Sequence, residues 1–274
     1  MDCREILKRA MTKAIDFEKP PVMEVVCGVG FVTLKDIKAP HFGRYWKTIP
    51  DSFTRVEEAP PVVLSDASYS YEFSDIPPLP RMWFLTENEQ KLIQVQRDRF
   101  WYNWKRPSDK IECPYPEYNC IFPEFLEQLS GFENFIKDEK LGSVERRQFE
   151  LTYVNHIPKK SIQGVLPTAS DVLVDHVLKA DSDRFLPEPS TFRWASSYVL
   201  PESLGKMHVT AQTAHKRDGD DEEVIRVDLN VRGVGEDTSD KGMTEWFSVA
   251  HEWITKGFVD ITDSKVQNEV WGRK

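Results

Sequence analysis

A change of hydrophobic period that occurs twice is the strongest constraint this chain carries. From Val22 onward the apolar residues follow strand-like patterns. At Phe122, Phe125, Leu126, Leu129, Phe132 and Ile136 the spacing becomes helical, near 3.6 residues. The pattern then starts again. Residues 147–157 alternate Phe149, Leu151 and Tyr153 with Glu150, Thr152 and Val154, as a strand does. Strands follow over 191–199, 206–215 and 224–231. The last sets Ile225, Val227, Leu229 and Val231 against Arg226, Asp228 and Asn230, and Trp246, Phe247, Ala250, Ile254 and Gly257 mark a closing helix. Strand series and helix stripe each recur after about 125 residues. The recurrence predicts an α+β chain built by internal duplication, with halves over 1–142 and 143–274, each of strands followed by one helix. One half alone leaves a sheet face and a helix stripe uncovered, so the two are expected to form one body. Hairpin turns imply an antiparallel sheet with the two long helices on one face. Residue identity between the halves is negligible, and spacing of this kind also arises by chance in α+β chains of this length.

The remaining elements are read in the same way. Residues 2–16 space Ile6, Leu7, Ala10, Met11 and Ala14 as a short amphipathic helix, stopped by Pro20-Pro21. Residues 22–32 read as a buried strand, and 40–61 have no regular period, with Tyr45-Trp46 and Phe53 anchoring a loop or short helix on the core. Strands are expected over 62–73 and 81–85, a turn over 87–90, and then one long strand over 91–104. That strand points Ile93, Val95 and Trp101 one way and Gln94, Gln96 and Asp98 the other. Residues 216–223, with Asp218-Gly219-Asp220-Asp221, read as a solvated hairpin turn, because the later bidentate Glu of a calcium loop is missing.

Composition narrows the function classes. The 274 residues carry 36 Lys plus Arg against 45 Asp plus Glu, a net charge of -9. Duplex nucleic acid is therefore a poor expectation as a partner, since its binding releases counterions from a large basic surface. No apolar run approaches a membrane span of roughly 20 residues, and residues 1–17 are charged throughout, unlike a signal peptide, so a cytoplasmic protein is expected. Cys3, Cys27, Cys113 and Cys120 form no C-x-x-C pair and have no His at ligand spacing, so no metal and no cofactor are expected.

Several segments carry a family likeness: Pro20-Pro21-Val22-Met23-Glu24-Val25, Arg81 to Phe84, Leu92-Ile93-Gln94-Val95-Gln96-Arg97-Asp98-Arg99-Phe100 running to Asn103-Trp104-Lys105, Tyr115-Pro116, Glu150-Leu151-Thr152-Tyr153-Val154-Asn155, and 251–271. On these residues the chain resembles a sporadically distributed prokaryotic family of unknown function, about 250 residues long. Lys105 stands where that family has Arg. The resemblance implies a bacterial or archaeal source and no particular reaction. A patchy distribution suits defence or toxin-immunity genes.

For chemistry, residues 97–106 interleave Arg97, Arg99, Lys105 and Arg106 with Phe100, Trp101, Tyr102 and Trp104. Aromatic faces that stack a base beside guanidinium groups that hold phosphate would make an anion or nucleotide site from Arg97, Arg99, Trp101, Asn103 and Lys105. The alternative is a solvated row paired with carboxylates, and Asn103 also reads as an architectural partner across a turn. Arg226 heads a second polar row, and Glu150, Thr152 and His156 a third. Arg97, Glu150 and Arg226 would share one cleft if these rows met. His156, with Glu150 on the same strand face, is the candidate base with its orienting acid. G-x-S-x-G and Walker motifs are absent, Gly28-x-Gly30 lacks the third glycine of a dinucleotide turn, and His251-Glu252 lacks the second His of a zincin helix. The expectation is a non-enzymatic binding or interaction protein whose partner is another protein. The alternative is a nucleotide-binding enzyme or sensor using 97–106.

Overall fold

A computed structural model describes residues 16–62, 79–107, 113–158, 169–175, 185, 189–215 and 223–274. The helix anticipated over 2–16, the strand anticipated over 62–73 beyond Val62, and the turn at 216–222 lie outside them. The elements in chain order are β1 (Val22–Phe31), α1 (Ala39–Trp46), β2 (Arg55–Ala59), β3 (Arg81–Leu85), β4 (Lys91–Gln96), β5 (Arg99–Lys105) and α2 (Tyr118–Asp138). They continue with β6 (Arg146–Pro158), α3 (Ala169–Val172), β7 (Arg193–Val199), β8 (Lys206–His215), β9 (Glu223–Gly233), α4 (Asp240–Ile261) and α5 (Ser264–Glu269). The nine strands form one antiparallel sheet in the order β2-β3-β4-β5-β1-β6-β9-β8-β7.

That order repeats one wiring rule. The chain lays down a central strand, β1 or β6, leaves for an outer edge at β2 or β7, and meanders back to pair beside the central strand. It then enters a long helix. The rule is a recurrence of connectivity; duplication of an ancestral half is a further step that strand order alone does not establish. The chain divides into two compact units, Val25–Glu150 and Met1–Glu24 with Leu151–Lys274. The division runs through β1 and β6, whereas Gly142, the expected boundary, lies between α2 and β6.

In the Val25–Glu150 unit, α2 packs on β5. Its stripe of Ile121, Phe122, Phe125, Leu129, Phe132, Phe135 and Ile136 is buried. The helix begins at Tyr118, and Pro123 stands inside it. Phe132 stacks on Phe100 at 5.3 Å and meets Tyr45 of α1 edge-on at 5.4 Å. Removing such rings from water supplies roughly 2 to 3 kcal/mol apiece before ordering entropy is subtracted. Tyr45 is 1% exposed, and its hydroxyl has no hydrogen-bond partner among the described residues. Burial accordingly holds the phenol far above its ordinary range. The substitution Tyr45→Phe removes an unsatisfied polar group and keeps the ring, so the variant is expected to be more stable by about 1 kcal/mol in urea unfolding. A loss of stability would reveal a role for the hydroxyl.

In the other unit, α4 packs on β9. Val227, Leu229 and Val231 are fully buried under it, while Arg226, Asp228 and Asn230 take the opposite face of the strand, as the alternation predicted. Ser239 caps α4 by accepting from the Gly242 N–H at 3.3 Å. Residues 40–61 contain the short helix α1, which anchors Tyr45 in the core as anticipated, and the edge strand β2, which was not anticipated. One region turns out differently. The expected single strand over 91–104 is a hairpin, β4 and β5, turning at Arg97-Asp98 with Gln96 opposite Arg99.

Candidate functional site

The hairpin sets the phase of the candidate site. On β5, Phe100 and Tyr102 face α2, where Phe100 meets Phe132 and the Tyr102 hydroxyl donates to Glu124. Arg99, Trp101, Asn103 and Lys105 therefore face the opposite side. Strand pairing brings Gln94 opposite Trp101 and Trp83 opposite Gln94, so Trp83, Gln94 and Trp101 form a row across three strands. Arg81 lies on the same side of β3 as Trp83.

The floor beneath this row is glycine. A Cβ on Gly28 would collide with Trp101 Cδ1 and stand 2.8 Å from its Nε1, and one on Gly30 would come within 3.3 Å of Arg99 Nη1. The two glycines of Gly28-x-Gly30 thus leave a lane over β1 along which Trp101 and Arg99 reach β6. There Trp101 Nε1 donates to Glu150 at 3.2 Å, and Arg99 Nη1 donates to Gln148 Oε1 at 3.1 Å. Gln94 Nε2 donates to Asn103 Oδ1 at 2.8 Å.

Cations lie over the indoles. The Arg81 guanidinium carbon is 5.2 Å from the Trp83 ring and 5.9 Å from that of Trp101. Arg99 is 5.9 Å from Trp101, and Lys105 is 5.7 Å from Trp83. These are cation–π distances. Arg81 forms no ion pair among the described residues, and burial lowers its pKa. Four buried polar atoms on this one face have no hydrogen-bond partner among the described residues: Arg81 Nε, Trp83 Nε1, Gln94 Oε1 and Arg99 Nε. Buried polar groups are otherwise nearly always satisfied, because leaving one unpaired costs roughly 1 to 3 kcal/mol.

Five residues singled out from sequence, Arg99, Trp101, Asn103, Lys105 and Glu150, thus meet on one face. Arg97 does not join them. Arg97 sits in the turn rather than on the strand, and its Nε and Nη2 donate to the Ile37 carbonyl at 3.2 and 3.0 Å. Its own carbonyl accepts from the Leu34 N–H. Arg97 therefore clamps the 34–37 loop, and Arg97→Ala is expected to cost about 2 kcal/mol of stability while leaving the tryptophan face intact. A change below about 0.5 kcal/mol in denaturant unfolding would contradict the clamp. Arg226 belongs to the other unit, where its Nε donates to Asp228 at 2.9 Å, and Arg97, engaged by Ile37, is not available to the expected cleft with Glu150 and Arg226. His156 and Glu150 are six residues apart on β6, about 20 Å of strand. Glu150 is engaged by Trp101, and the His156 backbone N–H donates to Pro21. The pair therefore cannot act as a base with its orienting acid.

Polar rows do meet in the Leu151–Lys274 portion, where Asn230 Nδ2 donates to Thr152 Oγ1 and Asn155 Nδ2 donates to the Val227 carbonyl at 3.2 Å. These are cross-strand ties among satisfied groups. No cluster of three metal-ligating side chains occurs among the described residues, and no helix among them is long and apolar enough to cross a membrane. Cys27 is fully buried, and burial raises its thiol pKa, which makes it a packing residue.

Sequence reasoning missed Arg81, Trp83 and Gln94. Their signal was the hairpin symmetry about Arg97-Asp98, which places Gln94 on the face of Trp101. Comparison with family models, with curated proteins and with solved structures finds no match.

Proposed function

We propose that this chain is a non-enzymatic binding protein whose recognition surface is the tryptophan–arginine face of β3, β4 and β5, and that it binds an anion there. The observation that carries the reading is Arg81, a half-buried guanidinium that among the described residues has no carboxylate partner and no hydrogen bond at its buried Nε. A partly desolvated cation in that condition favours an anion, which completes it through charge-assisted hydrogen bonds. Trp83 Nε1 is a further donor on the same face with no hydrogen bond among the described residues, while Arg99 Nε stands in an ion pair 3.8 Å from Asp98. The association with defence or toxin immunity rests on the family resemblance alone.

The test is thermal unfolding in acetate, sulfate and phosphate against chloride at fixed ionic strength. At a hundredfold excess over its dissociation constant, a bound oxyanion should raise Tm by about 4 °C in the wild type. Arg81→Gln should abolish that rise. Equal responses in the two proteins, or no response in either, would remove the proposal.

A further inference from the structure

The two edges of the sheet are guarded differently. β2 carries Arg55, Glu57 and Glu58, and Arg55 pairs with Glu57 at 2.6 Å and also with Glu89. Charges of this kind keep an edge strand from pairing with another chain. The other edge, β7, has no charge after Arg193, no proline and no bulge in its register with β8. Its last residue, Val199, is 71% exposed.

The phase of β7 follows from the two ends of its pairing. The Thr213 N–H donates to the Phe192 carbonyl at 3.1 Å, and the Leu200 N–H donates to the Gly205 carbonyl at 2.9 Å. Both are hydrogen-bonded pairs in the register that sets Arg193 opposite Gln212 and Val199 opposite Lys206. Hydrogen-bonded and non-hydrogen-bonded pairs alternate along an antiparallel ladder, so Trp194, Ser196 and Tyr198 bond to β8, and the N–H and carbonyl groups of Arg193, Ala195, Ser197 and Val199 point away from it. These four are the exposed residues of the strand, and their outward groups have no ladder partner among the described residues.

That row fits a second copy of itself. Antiparallel pairing that uses all four outward residues sets Arg193 opposite the partner's Val199 and Ala195 opposite the partner's Ser197. It also sets half-buried Trp194 opposite the partner's Tyr198, at a non-hydrogen-bonded site where side chains approach most closely. Aromatic pairs across strands are favourable, and the Arg193 stem can lie along the exposed valine, so no like charges meet. Centring β2 on itself in the same way would set Glu57 against the partner's Glu57. We propose that the chain self-associates through β7, as an antiparallel pair of β7 strands about a twofold axis at Ser196. The aromatic and charge matches single out a second copy over an unrelated extended peptide, which would satisfy the backbone alone. A seven-residue edge is a small interface, so the dimer is expected to dissociate on dilution.

Sedimentation velocity at low ionic strength, from about 1 to about 200 μM, tests this, with a mass that rises from 31.8 kDa toward twice that value. Val199→Lys, at an exposed position, sets an ammonium opposite the partner's Arg193 and should weaken association about tenfold or more. Arg193→Glu combined with Val199→Lys restores opposite charges and should return it to within about threefold of wild type. Ser197→Pro removes an outward N–H that β8 does not use and should abolish the dimer. The charge exchange decides the matter even if Ser197→Pro folds poorly. A wild type that stays monomeric at about 200 μM overturns the proposal. So does a dimer that Val199→Lys leaves unchanged, or one that the double exchange fails to restore.

Discussion

Trp101→Ala lowers the unfolding free energy by about 3 to 5 kcal/mol, the range for deleting a large buried aromatic. The indole is 6% exposed, lies on Gly28, and supports Arg81 and Arg99 from one ring. Its removal opens a cavity and withdraws a donor from Glu150, a carboxylate only 8% exposed. Trp101→Phe recovers most of the packing and not the N–H, so it should fall between wild type and alanine. Gly28→Ala should act from below, because its Cβ would enter the space of the ring. Equilibrium urea unfolding reads all three. A loss under about 1 kcal/mol for Trp101→Ala would mean that the indole is not part of a packed floor.

The second large effect depends on pH. His251 of α4 faces Tyr153 of β6 with ring centroids 6.0 Å apart, and burial pushes its pKa down from the usual 6.5 to about 4. The unfolded chain therefore takes up a proton at His251 where the folded chain does not. The stability due to the neutral, buried ring is complete above the unfolded value and is lost as pH falls from about 6.5 to about 4. Between pH 7 and pH 4.5 the loss amounts to about 2 to 3 kcal/mol. His251→Phe keeps the ring contact and abolishes the titration, so the wild type should lose more stability than the variant by that amount over the same interval. Asp237, held low by hydrogen bonds from Ser239, contributes in the same direction at lower pH. Its stability is present above the ordinary carboxylate value and declines only below it, so the two effects separate by pH. Parallel pH profiles for wild type and His251→Phe would contradict the assignment.

What the sequence revealed depended on whether an element's period survives without tertiary information. The β9 alternation and the stripes of α2 and α4 are local patterns, and they appear in the fold where the periodicity placed them. The Arg97-Asp98 turn has no such mark. It lacks the Asn-Gly or Asp-Gly pair of a two-residue hairpin and is held from elsewhere, by the Phe31 and Leu34 N–H groups, the Ile37 carbonyl and Gln96. Read as a continuous strand, 91–104 puts Gln94 and Trp101 on opposite faces; the hairpin puts them opposite each other on one face. Half of the candidate site followed from the β5 pattern alone. The other half, Arg81, Trp83 and Gln94, depended on pairing across strands, which periodicity does not encode. Clustering of unsatisfied donors is likewise visible only when neighbours are known.

The central claim is that an anion completes the half-buried, uncompensated Arg81. Crystals soaked in selenate and measured at the selenium edge locate an oxyanion directly. The account predicts an anomalous peak about 3 to 4 Å from the Arg81 guanidinium, between Trp83 and Trp101, that is lost in Arg81→Gln. Selenate peaks only at other cations, with none at Arg81, would contradict it.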